Sequence, residues 1–208
     1  LGLVSAGGIT GIQAAGLGLV SEGSVTGVQA AGLGVVVAGH MTGAQAAGLG
    51  VVAEGRITGV QAAGLGLVAT EGITGMQAAG LGLVSDGPIL GIQVAGLGLV
   101  SGRDMTGVQV AGLGLVAGDA MTGVKVAGWR INAGARIDGA AVTAYRTTTP
   151  VLNGMSVAGW NDLGVQNGLA IGIYNRARVL RGVQVGLLNR AENNRPSLRL
   201  LPLVNASF

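Results

Sequence analysis

A glutamine returns every sixteen residues, at Gln13, Gln29, Gln45, Gln61, Gln77, Gln93 and Gln109, until Lys125 takes its place. Three glycine columns keep the same period, starting at Gly11, Gly16 and Gly18. A threonine column runs from Thr10 to Thr122, with Leu90 replacing one member. Self-similarity at a short fixed period marks a chain built from one supersecondary unit stacked on its neighbours. Further along the period shortens: Gly139, Gly154, Gly168 and Gly182 head units spaced 15, 14 and 14 residues apart. Twelve headed units run from Gly11 to Gly182.

Each unit reads as strand rather than helix. Glycine supplies 42 of 208 residues, and every glycine in a helix interior costs about 1 kcal/mol. Apolar residues alternate over short stretches, as on a pleated strand: Val108 with Val110, then Leu113 with Leu115. The parity switch between these pairs predicts a glycine corner at Ala111 and Gly112 that turns both pairs inward. A second bend is marked by charge. In residues 1–128 every charged residue except Lys125 falls in three adjacent, variable columns that also hold Ser, Gly and Pro88, the composition of a solvent-facing turn. The expected fold is all-β, a parallel β-solenoid of about twelve coils of 14–16 residues with an elaborated C-terminal cap. Residues 1–138 form the regular array, 139–192 the shorter coils, and 193–208 the cap or tail. Coils stacked at about 4.8 Å place each Gln over the previous one, an amide ladder. The Ala column (14, 30, 46, 62, 78) falls where sheets or neighbours approach closely.

Composition removes other classes. Charged residues are 10% of the chain, aromatics 2%, and mean hydropathy is +0.61, the reverse of a disordered segment. Four prolines exclude collagen, and the lack of Cys excludes disulfide scaffolds and thiolate chemistry. No run of eighteen apolar residues suits a membrane helix. The chain opens inside a repeat without an initiating Met or signal segment, which reads as a processed or partial product. The main alternative is an antiparallel outer-membrane barrel, because apolar stretches of about eleven residues with regular turns suit membrane strands. Consecutive turns that look alike, and two apolar faces, favour the solenoid. A more remote alternative is an ice-binding solenoid, but this chain offers a single threonine rank.

No catalytic, metal or cofactor constellation emerges. The repeated Gly-x-Gly (Gly16 and Gly18, Gly32 and Gly34) has no following helix, so it reads as a corner and not a dinucleotide loop. His40 is the only histidine and sits in the variable turn. Larger side chains gather late: Trp129, Trp160, Tyr145 and Tyr174, with Arg146, Arg176 and Arg190 recurring after one strand. The aromatics read as an interior plug of wider coils. Trp129, Trp160, Tyr174 and these arginines are also the candidate interface residues. Residues 1–128 carry three Lys/Arg and six Asp/Glu, whereas 129–208 carry nine Arg and three acids. Nine scattered arginines without a basic run do not indicate a nucleic-acid site.

The run Gly182-Val183-Gln184-Val185-Gly186-Leu187-Leu188-Asn189-Arg190, followed by Leu201-Pro202-Leu203-Val204-Asn205, resembles a poorly characterised family of bacterial surface-repeat proteins with Gly-Val-Gln-x-Gly-Leu-x-Asn-like units. Gly168–Asn175 is a second match, and the sixteen-residue units look like a longer variant. The resemblance implies a cell-surface or outer-membrane location and brings no catalytic residues. The expectation is a non-enzymatic structural protein without cofactor, nucleic acid or small-molecule substrate. Its partners are copies of itself or an envelope complex, met through a flat apolar Gly/Val face, with membrane contact.

Overall fold

The computed structural model describes residues 2–208, which fall into two compact units, 2–109 and Val110–Phe208. The chain is an all-β parallel solenoid of about eleven turns of about sixteen residues, against the twelve units headed by glycine in the sequence. In the first unit a coil consists of a seven-residue strand, a two-residue corner, a four-residue strand and a polar turn. One such coil runs Val25–Ala31, Gly32 and Leu33, Gly34–Val37, then the turn before Met41–Ala47. Every strand pairs in parallel with its equivalent sixteen residues away, so that Gln29 lies beside both Gln13 and Gln45. The backbone ladder continues through corner and turn: Leu33 N–H donates to Leu17 O at 2.6 Å and Val25 N–H to His40 O at 2.8 Å. This parallel register overturns the antiparallel-barrel alternative.

The interior differs from the expected one in one respect. Val108 and Val110 do not turn inward with Leu115. Val108 is 39% exposed and Leu113 is 55% exposed, whereas Gln109 and Leu115 are fully buried. A period of sixteen is even, and corner and turn together preserve parity. One face therefore stays inside all the way around: Val25, Gln29, Ala31, Val35 and Val37 in the example coil. Hydrophobicity alone would bury the valines, so the buried Gln needs an explanation.

Backbone geometry supplies it. Gly43 and its equivalents have positive φ, and their carbonyls are acceptors for the interior amides. Gln61 Nε2 donates to Gly43 O (3.1 Å), to Thr58 O (3.1 Å) and to Gln45 Oε1 (2.8 Å). The same set repeats for Gln45, Gln77, Gln93 and Gln109. A buried carbonyl left unpaired costs about 1–3 kcal/mol, more than a valine in that place would gain by burial beyond its half-exposed state. The threonine column contributes its carbonyl to this set, which is why Leu90 substitutes for Thr without loss: Gln93 donates to Leu90 O at 2.9 Å.

The three glycine columns have separate reasons. A Cβ on Gly59, where φ is +118°, would lie 2.1 Å from Gly43 O, and one on Gly64 would lie 2.0 Å from Gly48 O. A Cβ on Gly66 meets its nearest atom at 3.5 Å, ordinary contact. The first two columns are steric requirements of stacked coils, and the third tolerates side chains.

The second unit bears this out. There the third column passes in register from Gly114 to Arg130, Arg146 and Trp160. The coil shortens by losing one residue at the turn, where Asn132 to Arg136 aligns with Thr148 to Val151, and one at the corner, where Val142 to Arg146 aligns with Val157 to Trp160. The interior polar column moves as well. Positions in register with Lys125 become Ala141, Ser156 and Ala170. The leucine column becomes Ile131, Thr147 and Asn161. Asn161, Asn175 and Asn189 form a second buried ladder, with Asn161 Nδ2 donating to Asn175 Oδ1 and Asn175 Nδ2 to Asn189 Oδ1, both at 2.7 Å. Its amides donate toward higher residue numbers, opposite to the glutamines. Carbonyls of Ile171 and Val185, accepting from the same nitrogens, fix that direction. The stack ends on an antiparallel strand, Leu200–Ser207, which pairs with 182–190 across a bulge.

Replacing Gln61 by Leu orphans two backbone carbonyls and two amide neighbours, and is expected to cost roughly 3–5 kcal/mol, read as a lowered urea midpoint. Val60→Thr on the adjacent outward position should stay within about 0.5 kcal/mol. Gly59→Ala and Gly64→Ala should each cost about 3 kcal/mol or more, whereas Gly66→Ala should leave the midpoint unchanged. Equal losses at all three glycines would contradict the assignment.

Candidate interaction surfaces

Among the described residues no three His, Asp or Glu side chains lie together as a metal site, and Gln13 to Gln109 serve the ladder. His40 lies in the turn, where its Nδ1 accepts the Arg56 backbone N–H at 3.0 Å. That bond leaves Nδ1 no proton to share with Glu71 Oε2 at 3.6 Å. The two units differ in what they expose.

In the first unit the outward residues of the strands are Thr, Val, Leu, Ile, Met and Ala, without a single charge. Val28, Val60, Met76 and Ile92 are about half exposed along one rank, and Val20, Val36, Val68 and Val84 along another. Between them runs a shallow groove of about 880 Å³ floored by Ala and Gly, including Ala30, Ala46, Gly32 and Gly48. Leu33, Leu49, Leu65 and Leu81 stand beside it as a ridge, each 47–49% exposed. The alanine column thus floors an open channel rather than a close contact between sheets. All charged residues of this unit, Glu22, Glu54, Arg56, Glu71, Asp86, Arg103 and Asp104, are confined to the turns. The outward threonines, exposed or half-buried, form one rank broken by Leu90.

In the second unit the aromatic residues lie outside, not within widened coils. Trp129 is 58% exposed and Trp160 39%. Trp129 stacks on Tyr145 with centroids 4.5 Å apart, and Trp160 meets Tyr174 edge-on at 5.3 Å. The Arg146 guanidinium lies 5.1 Å from the Trp160 ring centroid, a cation–π contact. Arg146 aligns with Trp160, whereas Asp162 aligns with Thr148, so Arg146 precedes the acidic position by two residues on the same outward face. It donates to Asp162, which also faces Arg176 at 3.9 Å. Glu192 accepts from Arg176 at 3.1 Å and faces Arg190 at 3.5 Å. The three arginines singled out in the sequence thus share two carboxylates, which leaves one positive charge over. Asp138 is held below the usual carboxylate range by the Asn153 amide and then by Arg136. Exposed pairs of this kind contribute at most about 1 kcal/mol each.

Sequence reasoning missed the Asn ladder, whose signal is the 14-residue spacing of Asn161, Asn175 and Asn189. It also passed over Lys125 as a mere interruption. Lys125 is fully buried, its Nζ donates to Thr122 O at 2.7 Å, and desolvation lowers its pKa from 10.5 to about 8. Between those values the unfolded chain binds a proton that the folded chain has released. Stability should therefore rise with pH from about 8 to about 10.5, by no more than roughly 3 kcal/mol. Lys125→Gln should flatten that rise in thermal unfolding followed against pH. A rise of the same size in the variant would assign it elsewhere. No protein family, curated protein or solved structure matches this chain.

Proposed function

We propose that this chain is a non-enzymatic structural repeat protein that assembles with copies of itself through the uncharged outer faces of its repeats, in a bacterial cell envelope or at its surface. One observation carries the reading: in residues 2–109 every charge is in a turn, and both strand faces present ranks of half-exposed Val, Leu, Ile and Met. Contiguous apolar patches of more than a few hundred Å² are rare on proteins that stay monomeric. Six seven-residue strands, from Ile9–Ala15 to Ile89–Ala95, make a face of about 23 Å by about 29 Å. That approaches the roughly 800 Å² per partner of a standard interface. The leucine ridge beside the Ala/Gly groove makes the face self-complementary, since a two-fold pairing seats each ridge in the other copy's groove. The resemblance to surface-repeat proteins supports the envelope location.

Sedimentation velocity over a concentration series tests the assembly. The chain should form dimers or larger species that persist at high salt, because the contact is apolar. Val60→Lys with Ile92→Lys, both at 49% exposed positions, should yield a folded monomer. A wild-type chain that stays monomeric throughout and binds no apolar dye would overturn the proposal.

A further inference from the structure

The second unit carries an excess of positive charge that its own acids do not balance. Residues 163–208 contain six arginines and one acid, Glu192. Glu192 is occupied by Arg176 and Arg190. Arg178, Arg181, Arg195 and Arg199 have no carboxylate partner among the described residues, and all four are exposed. Hydrogen bonds bring them to one end of the unit. Asn193 brackets Leu180, accepting its N–H at 2.9 Å and donating to its carbonyl at 3.1 Å. Glu192 N–H donates to Ala177 O at 3.0 Å, and Ala191 N–H to Arg199 O at 2.9 Å. The segment Arg195-Pro196-Ser197-Leu198-Arg199-Leu200 is exposed along its whole length, with Leu198 at 46% and Leu200 at 52%. It is also held: Leu198 N–H donates to Arg195 O at 2.8 Å, and Asn205 Nδ2 donates to Leu198 O at 3.2 Å.

We infer that this arginine–leucine tip docks on a membrane surface bearing anionic phospholipid. Four guanidiniums without a carboxylate partner, of which only Arg199 is partly engaged, its Nε donating to Asn194 O at 3.1 Å, present N–H donors suited to phosphate oxygens. Two leucines interleaved with them reach the boundary between headgroups and acyl chains, as the apolar face of an interfacial segment does. Because the tip is pinned, little ordering opposes binding. A nucleic acid fits less well: residues 178–200 contain no aromatic side chain, and the exposed Phe208, next to Ser207 that pairs with Gly182, is a single ring where successive bases need several. The inference does not depend on repeat-face assembly, since the arginines belong to the second unit and the uncharged faces to the first.

Vesicle co-sedimentation of the full chain tests it. Phosphatidylcholine vesicles with added phosphatidylglycerol should bind the chain, pure phosphatidylcholine vesicles should not, and high salt should weaken binding. A surface arginine contributes about five-fold to such partitioning, so Arg195→Gln with Arg199→Gln should lower it about thirty-fold. Both positions are exposed, so circular dichroism should be unchanged in the double variant. Leu198→Ser with Leu200→Ser should weaken binding while keeping its salt dependence. Arg136→Gln, where the guanidinium already serves Asp138, should have no measurable effect. Equal binding to both vesicle types, or indifference to loss of Arg195 and Arg199, overturns the inference. So does an oligonucleotide that displaces the vesicles at low salt. Sedimentation of the double-arginine variant keeps the two proposals apart, because it should assemble as the wild type does.

Discussion

The structure depends on carbonyls that point the wrong way for a sheet. At the positive-φ glycines of the first unit's long strands the chain turns an acceptor into the interior, and a side chain with two N–H donors and its own oxygen satisfies it while passing a bond along the stack. Glutamine does this at every rung of the first unit, taking carbonyls of its own coil and of the preceding one. The ladder therefore fixes register. Sliding one strand by a single residue would put the amide outside and leave its acceptors unpaired. Parallel sheets of valine and leucine alone would hold their register weakly. Here the polar column specifies it, and the apolar columns supply most of the burial.

Much of this was legible because repetition exposes columns. The strands, the polar turn and the stacked amides followed from periods and charge placement. The facing of Val108 and Val110 did not, because hydrophobic alternation is a poor guide where the backbone makes its own polar demand at Gly107. The three glycine columns also looked equivalent. Distances separate them: backbone within about 2 Å of a hypothetical Cβ in two, open contact in the third. The candidate surface was half legible. Trp129, Trp160, Tyr174 and the arginines were found by type, but not their outward placement: Arg146 and Trp160 stand in the third column, which only coordinates identify as roomy, and Trp129 follows Leu113 of the exposed leucine column. The antiparallel strand Leu200–Ser207 left no periodic trace, since a closing element occurs once.

Charge and apolar surface are assigned to different parts of the chain, and the assignment follows from coil geometry. Strand faces in the first unit are flat and repeat identical residues at one spacing, so any charge there would stack on its own kind. Turns splay outward into solvent and accept mixed charge. In the second unit shorter coils bring unlike residues into register, and Asp162 and Glu192 can interleave with Arg146, Arg176 and Arg190. The arginines left over gather where that interleaving ends.

A column in which every member makes the same bonds to the member below has no preferred length. Removing or adding one whole coil of the first unit would rejoin amide to amide, glycine to glycine and turn to turn, while any other insertion inside a strand would break all three columns together. Variation in such a chain is thereby quantised in increments of one rung, about 4.8 Å at a time. The fold behaves as a ruler whose graduations are written in glutamine.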